Sequence, residues 1–119
     1  MRASDLPDLR RVARAKAVTY SGHAIDQMLN RGITTDDVEE ILESNTNQLI
    51  EVQSPSITPG KKHRNERDLI YDPNHRPDAI IVMVLLFNPS PEIHVVTVEM
   101  PSDEKWNHNP GADPALTRR

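Results

Sequence analysis

His23, Gln27 and Arg31 recur at intervals of four within the segment from Tyr20 to Leu42. On a helix that spacing lines one side with an imidazole, an amide and a permanent cation. An imidazole titrates near neutral pH and can take or give a proton. A guanidinium grips a phosphate through two parallel hydrogen bonds. Those are the parts needed to cut RNA with its own 2′-hydroxyl, because a protein need only remove that proton, steady the charge on the phosphorane and protonate the leaving oxygen. A second set of cations, Lys61, Lys62, His63, Arg64 and Arg67, crowds the middle of the chain and offers a phosphate-gripping side. Tyr71 and Thr97 fall on segments that read as strands, where they can hold polar groups over a cleft.

Each of these residues has a structural explanation as well. A His in the first turn of a helix often serves only as a hydrogen-bonding group, and Arg31, just ahead of Gly32, can meet the last carbonyls of its own helix. Thr97 in Val96-Thr97-Val98 fits an ordinary β-branched strand position. The run from Lys61 to Arg67 reads equally as a solvated loop. His75, His94 and His108 show no partner in the sequence. No His-x-x-x-His or His-Glu pair shares a helix face, so no metal or other cofactor is expected. No nucleophile elbow supports a Ser-His-Asp hydrolase. Gly60-Lys61-Lys62 lacks the glycine spacing of a phosphate loop.

The elements that must position these groups follow from periodicity and punctuation. Ser21 is a good N-cap and Gly32 a good C-terminal stop, since glycine takes a positive φ without steric cost. Thr34 with Asp37 three residues on forms a variant of the capping box and opens a second helix. Ala24, Ile25, Met28 and Leu29, then Ile33, Val38, Ile41 and Leu42, give each helix an apolar stripe. Upstream, Asp5 and Pro7 start a helix over 6–17 with a thin stripe of Leu6, Leu9, Val12 and Ala13. Residues 17–20 read as a short edge strand.

Downstream, residues 48–53 alternate, with Leu49, Glu51 and Gln53 set against Ile50 and Val52. Residues 54–60 read as a loop, 67–71 as a strand and 72–74 as a turn. The run 79–87 is apolar on both alternating faces and is the central strand. Residues 92–99 form another strand, with Ile93, Val95 and Thr97 on one face and His94, Val96 and Val98 on the other. Residues 101–119 are polar and Pro-bearing, and read as an extended or disordered tail. Helices followed by consecutive, closely linked strands predict an α+β fold: a four- to five-stranded, mainly antiparallel sheet with helices on one face. The other face is then free to be a concave working surface.

At 119 residues the chain fits one domain, with residues 1–17 as a basic N-terminal helix or linker remnant. A domain of this size buries about two-thirds of its unfolded surface. The net charge of −4 does not announce a nucleic-acid binder, but local patches set the field a ligand meets. Cations crowd Arg10 to Lys16 and Lys61 to Arg67, while acid concentrates in Asp36 to Glu43. The absence of Cys excludes disulfides and thiolate metal sites. No signal-peptide pattern opens the sequence, and the longest apolar run is far short of the ~20 residues a membrane helix needs. Scarce aromatics argue against a base-stacking platform.

The pattern carried by His23, Ala24, Met28, Arg31, Gly32, Ile33, Thr34, Val38, Ile41 and Leu42 resembles the opening of a widespread bacterial domain family, DUF4258. The resemblance covers roughly Val18 to Met100, including the closing Val96-Thr97-Val98 strand. Members of that family are similar to RelE/ParE-type and BrnT-type toxins, and to polymorphic toxin domains of the barnase/EndoU/colicin E5/RelE group. The resemblance implies a RelE-like fold and a metal-independent ribonuclease acting on tRNA or mRNA. It carries over His23, Arg31 and Thr97 as catalytic positions, to which chemistry adds Tyr71 and the basic segment from Lys61 to Arg67. It also implies an RNA substrate, a cognate antitoxin or immunity protein, and work in the cytoplasm of the producing or the target cell. A reading from another class remains open: a non-catalytic module on the same fold, binding a protein partner through the acidic second helix and the tail.

Overall fold

The structure, a computed structural model, describes residues 1–54, 66–75, 80–87 and 91–119. After a single 3-10 turn, helix α1 runs Leu6–Arg14 with Pro7 in its first turn. Its stripe of Leu6, Leu9, Val12 and Ala13 is buried. The helix stops three residues short of the predicted span because Lys16 takes φ 61 and turns the chain into β1 (Val18–Tyr20). Helix α2 (Gly22–Arg31) is capped by Ser21, whose hydroxyl accepts the Ala24 N–H at 3.0 Å, and ends at Gly32 with φ 67. Helix α3 (Thr35–Glu43) opens with the reciprocal Thr34–Asp37 capping box.

Strands β2 (Gln48–Gln53), β3 (Arg67–Tyr71), β4 (Ile81–Phe87) and β5 (Glu92–Glu99) follow. They form one sheet in the order β1-β5-β4-β3-β2. All neighbours are antiparallel except β1, which lies parallel to β5 at the edge. The apolar β4 is therefore the middle strand, as its two-sided hydrophobicity predicts. The three helices cover one face, where Leu9, Met28, Val38, Ile41 and Leu42 meet Ile70, Val82, Val84, Ile93, Val95 and Val98. This is the predicted α+β plan.

Two β-bulges change which side chains share a face. In β5 the register slips between Val95 and Thr97, so Val96 is the extra residue. A bulge leaves one residue unpaired and reverses the alternation beyond it. Val98 therefore turns inward beside Val95, and Thr97 turns outward, paired with Met83. The expected grouping of Thr97 with Ile93 and Val95 is corrected by that slip. In β2 the same happens at Ile50: Leu49 and Val52 fall on the helix side, Glu51 and Gln53 on the other.

The C-terminal residues overturn the expectation of an extended or disordered tail. Residues Trp106–His108 (β6) and Leu116–Arg118 (β7) pair antiparallel and lie against the sheet face that the helices leave open. Trp106 is fully buried there, with Ala115 and Leu116, against Leu69, Tyr71 and Ile81. Polar ties fix the hairpin to β2. Gln48 donates to the Ala112 carbonyl and accepts from the Ala115 N–H at 2.7 Å. Arg118 makes a two-pronged bond to Glu51 at 2.6 and 3.0 Å while its guanidinium lies 4.3 Å from the Trp106 ring centre. The second face is thus only half free.

Replacing Trp106 by Ala should cost about 3–5 kcal/mol of unfolding free energy, the usual loss for a buried large aromatic. Urea denaturation measures it. A loss below about 1 kcal/mol would mean that the hairpin does not cover the sheet.

Candidate functional site

The polar side of α2 has a partner that the sequence does not announce. Strand β1 pairs with β5 only at residues 93–95, which leaves the β5 edge open beyond that point. Helix α2 closes it. The Ser21 hydroxyl donates to the Val96 carbonyl at 2.9 Å, Val98 N–H donates to Gln27 Oε1 at 2.8 Å, and Arg31 donates to the Val98 carbonyl at 2.6 Å. A bare strand edge invites pairing with other chains, and these three side chains blunt it. Arg31 thus serves the strand rather than its own helix end. His23 is exposed and makes no hydrogen bond among the described residues. About 12 Å of helix axis separates it from Arg31. The α2 stripe seals the β5 edge through Gln27 and Arg31 and leaves an exposed imidazole at its start.

A different imidazole stands on the working face. The register pairs Leu85 with His94 and His94 with Thr19, and Asp68 with Val84, so Arg67 falls beside Leu85 in the same cross-strand row. Neighbouring strands lie about 4.8 Å apart, which puts the Arg67 and His94 backbones about 10 Å apart with Leu85 between them. Thr97 occupies the adjacent row. This row lies at the far end of β3 from Tyr71, beyond the patch under the hairpin. His94 is held in place: Thr19 Oγ1 lies 2.8 Å from its Nδ1, and the Phe87 ring sits 6.3 Å away, centre to centre. Arg67 is half-buried, and its Nε has no hydrogen-bond partner among the described residues.

The sequence-predicted residues therefore divide. Arg67 and Thr97 both lie on the sheet face opposite the helices, Thr97 in the row of Met83 and Leu69. His23 and Arg31 belong to α2, at the β5 edge. Tyr71 is 8% exposed and lies in the cluster beneath the hairpin, so it lines no open cleft. Lys61, Lys62, His63 and Arg64 lie outside the described residues. His94 is the residue that sequence reasoning missed. Its signal was present in the alternation of β5, which sets it opposite Ile93 and Val95, but its partner Thr19 comes from a strand distant in the chain.

On the helix side, Asp68 lies with Asp5, Asp8, Arg11 and Glu66 around a cavity of about 420 Å³. Asp68 is 2% exposed, and one carboxylate oxygen has no hydrogen-bond partner among the described residues. Burial, then the neighbouring Glu66 carboxylate, push its carboxyl up to about 7.

Residues 20–100 match the family described as a domain of unknown function, DUF4258. That match spans well over half of the chain, and the chain belongs to this family. No curated protein and no solved structure matches it. Among the described residues no helix is long and apolar enough to cross a membrane.

Gln27→Ala removes the acceptor of the Val98 N–H and should cost about 1 kcal/mol. Hydrogen exchange at the Val98 amide should speed up, and unchanged protection there would contradict the edge seal. Asp68 supplies a pH test. Its folded pKa lies above its unfolded value, so its contribution is complete below about pH 4 and is lost as pH rises through 7. Asp68→Asn should accordingly gain stability relative to the parent between pH 5 and pH 8, read by urea denaturation across that range. A parent that gains on the variant over the same range would refute the assignment.

Proposed function

We propose that this DUF4258 domain is an endoribonuclease that cuts RNA without a metal, on the half of the sheet face left open by the C-terminal hairpin. The observation that carries the reading is the row Arg67–Leu85–His94–Thr19, in which a cation and an anchored imidazole flank one apolar residue. The likeness of DUF4258 members to RelE-type toxins, which the sequence resemblance implies, is consistent with it.

The chemistry assigned to each group follows from its surroundings. In the tautomer that donates Nδ1–H to Thr19 Oγ1, the His94 imidazole has Nε2 available, and that nitrogen takes the proton of the 2′-hydroxyl. The O2′–P bond forms as the P–O5′ bond breaks, and the proton is returned to O5′. The Arg67 guanidinium meets the non-bridging oxygens, where negative charge grows in the transition state. The Thr97 hydroxyl lies alongside, at the edge of the same surface. Lys61, Lys62, His63 and Arg64 precede Arg67 in sequence and add positive charge to that stretch of the chain. The products are a 2′,3′-cyclic phosphate and a 5′-hydroxyl. An enzyme of this kind is harmful to the cell that makes it unless an inhibitor covers the face, and an inhibitor with an acidic surface complements the cations there.

Purified protein incubated with total RNA in excess chelator should produce 2′,3′-cyclic phosphate ends. His94→Ala and Arg67→Ala should each lower the rate by about 10²-fold or more while the fold survives. His23→Ala should keep the activity. No cleavage, a need for added divalent metal, or full activity in His94→Ala would overturn the reading, and the first of these favours the non-catalytic interaction module.

A further inference from the structure

We propose that Asp37, Glu40 and His75 form a divalent metal site, suited to Zn²⁺, that ties α3 to the turn after β3. Asp37 and Glu40 stand one helical turn apart on α3, and His75 follows the turn at Pro73 and Asn74. One donor atom from each of the three lies within 4.8 Å of the others. The two carboxylates are available for different reasons. Asp37 Oδ2 is taken up by the Thr34 N–H at 2.9 Å and the Thr34 hydroxyl at 3.0 Å, which leaves Oδ1 facing His75. Glu40 makes no hydrogen bond among the described residues and points an oxygen at the other ring nitrogen.

His75 is the observation that sets this cluster apart from an ordinary acidic helix face. Its side chain is only 8% exposed, yet neither ring nitrogen makes a hydrogen bond. A largely buried imidazole whose two nitrogens each face a carboxylate is a ready ligand for a cation between them. Its nitrogens stand 3.9 Å from Asp37 Oδ1 and 3.9 Å from Glu40 Oε2, too long for hydrogen bonds. Donor atoms around a tetrahedral Zn²⁺, with bonds of about 2.0–2.2 Å, stand about 3.4 Å apart, so binding at the nitrogen that faces Asp37 requires the Glu40 side chain to swing from the other nitrogen toward it.

The surroundings favour the same assignment. The turn that carries His75 is held by Asp72, which accepts from the Thr46 hydroxyl at 2.8 Å and from the Asn74 N–H at 3.0 Å. Asp37 and His75 also line a cavity of about 320 Å³ with Arg31, Ile80 and Met100, which provides an access route and room for a water in the fourth position. An imidazole with two carboxylates suits Zn²⁺ better than Ca²⁺ or Mg²⁺, which prefer oxygen alone. Because β3 begins at Arg67 and His75 lies past its other end, the site stands apart from the RNA-cutting row and does not depend on it.

The test is calorimetric titration of the chelator-treated, tag-free chain with ZnCl₂, alongside thermal unfolding. One equivalent should bind and raise Tm, since a ligand held by the folded state alone stabilises it. His75→Asn and Glu40→Gln should each weaken binding by about tenfold or more and remove most of the rise in Tm. Glu40 is exposed, so its variant keeps the fold and decides the matter if His75→Asn unfolds. Absence of saturable binding, or a Glu40→Gln variant that binds as the parent does, would overturn the site.

Discussion

One extra residue at Val96 decides which parts of β5 meet the helices and which meet solvent. Without it, strict alternation would turn Thr97 into the core and Val98 out of it. With it, Val98 packs beneath α2 and presents its peptide group at the edge, where Gln27 and Arg31 take up both its N–H and its carbonyl. The same slip sends Thr97 to the face that carries His94. A bulge bends and twists its strand as well as shifting register, so the edge seal and the outward row are consequences of one local irregularity.

The sheet then has two unlike faces. The helix side carries one apolar cluster from Leu49 on β2 to Val18 on β1, with the buried Asp68 and its charged cavity beside it. The other side is divided. Toward Tyr71 and Ile81 it is dry and lies under Trp106 and Leu116. Toward Arg67 and His94 it is polar, and the described hairpin residues do not cluster there. The Arg118–Glu51 pair stands near the border. Its contribution as an ion pair is small at partly exposed positions, and its larger effect is to seat the Arg118 guanidinium over the Trp106 ring.

Much of this was legible in the sequence because it is local. Ser21, Gly32 and the Thr34–Asp37 box mark the ends of α2 and α3 through backbone chemistry within three or four residues. The two-sided apolar run from Ile81 to Phe87 can only be a middle strand. What failed was long-range or irregular. The hairpin rests on one Trp and a few small apolar residues among polar neighbours, and its burial comes from a sheet face that no local pattern describes. The bulges at Ile50 and Val96 break the period on which face assignment relies. His94 and His75 looked unpartnered because Thr19, Asp37 and Glu40 reach them only through tertiary packing. Arg31 looked catalytic because a cation on a helix face gives no sign that a strand carbonyl is waiting for it.

The account turns on whether the Arg67–His94 row is where RNA sits. A two-dimensional NMR titration with a short RNA carrying 2′-O-methyl groups, which binds but cannot react, addresses that directly. Shift changes should concentrate at Thr19, Arg67, Leu85, His94 and Thr97 and leave His23 and the hairpin core at Trp106 undisturbed. Changes confined to α2 and α3, or none at concentrations that saturate ordinary RNA binders, would contradict it.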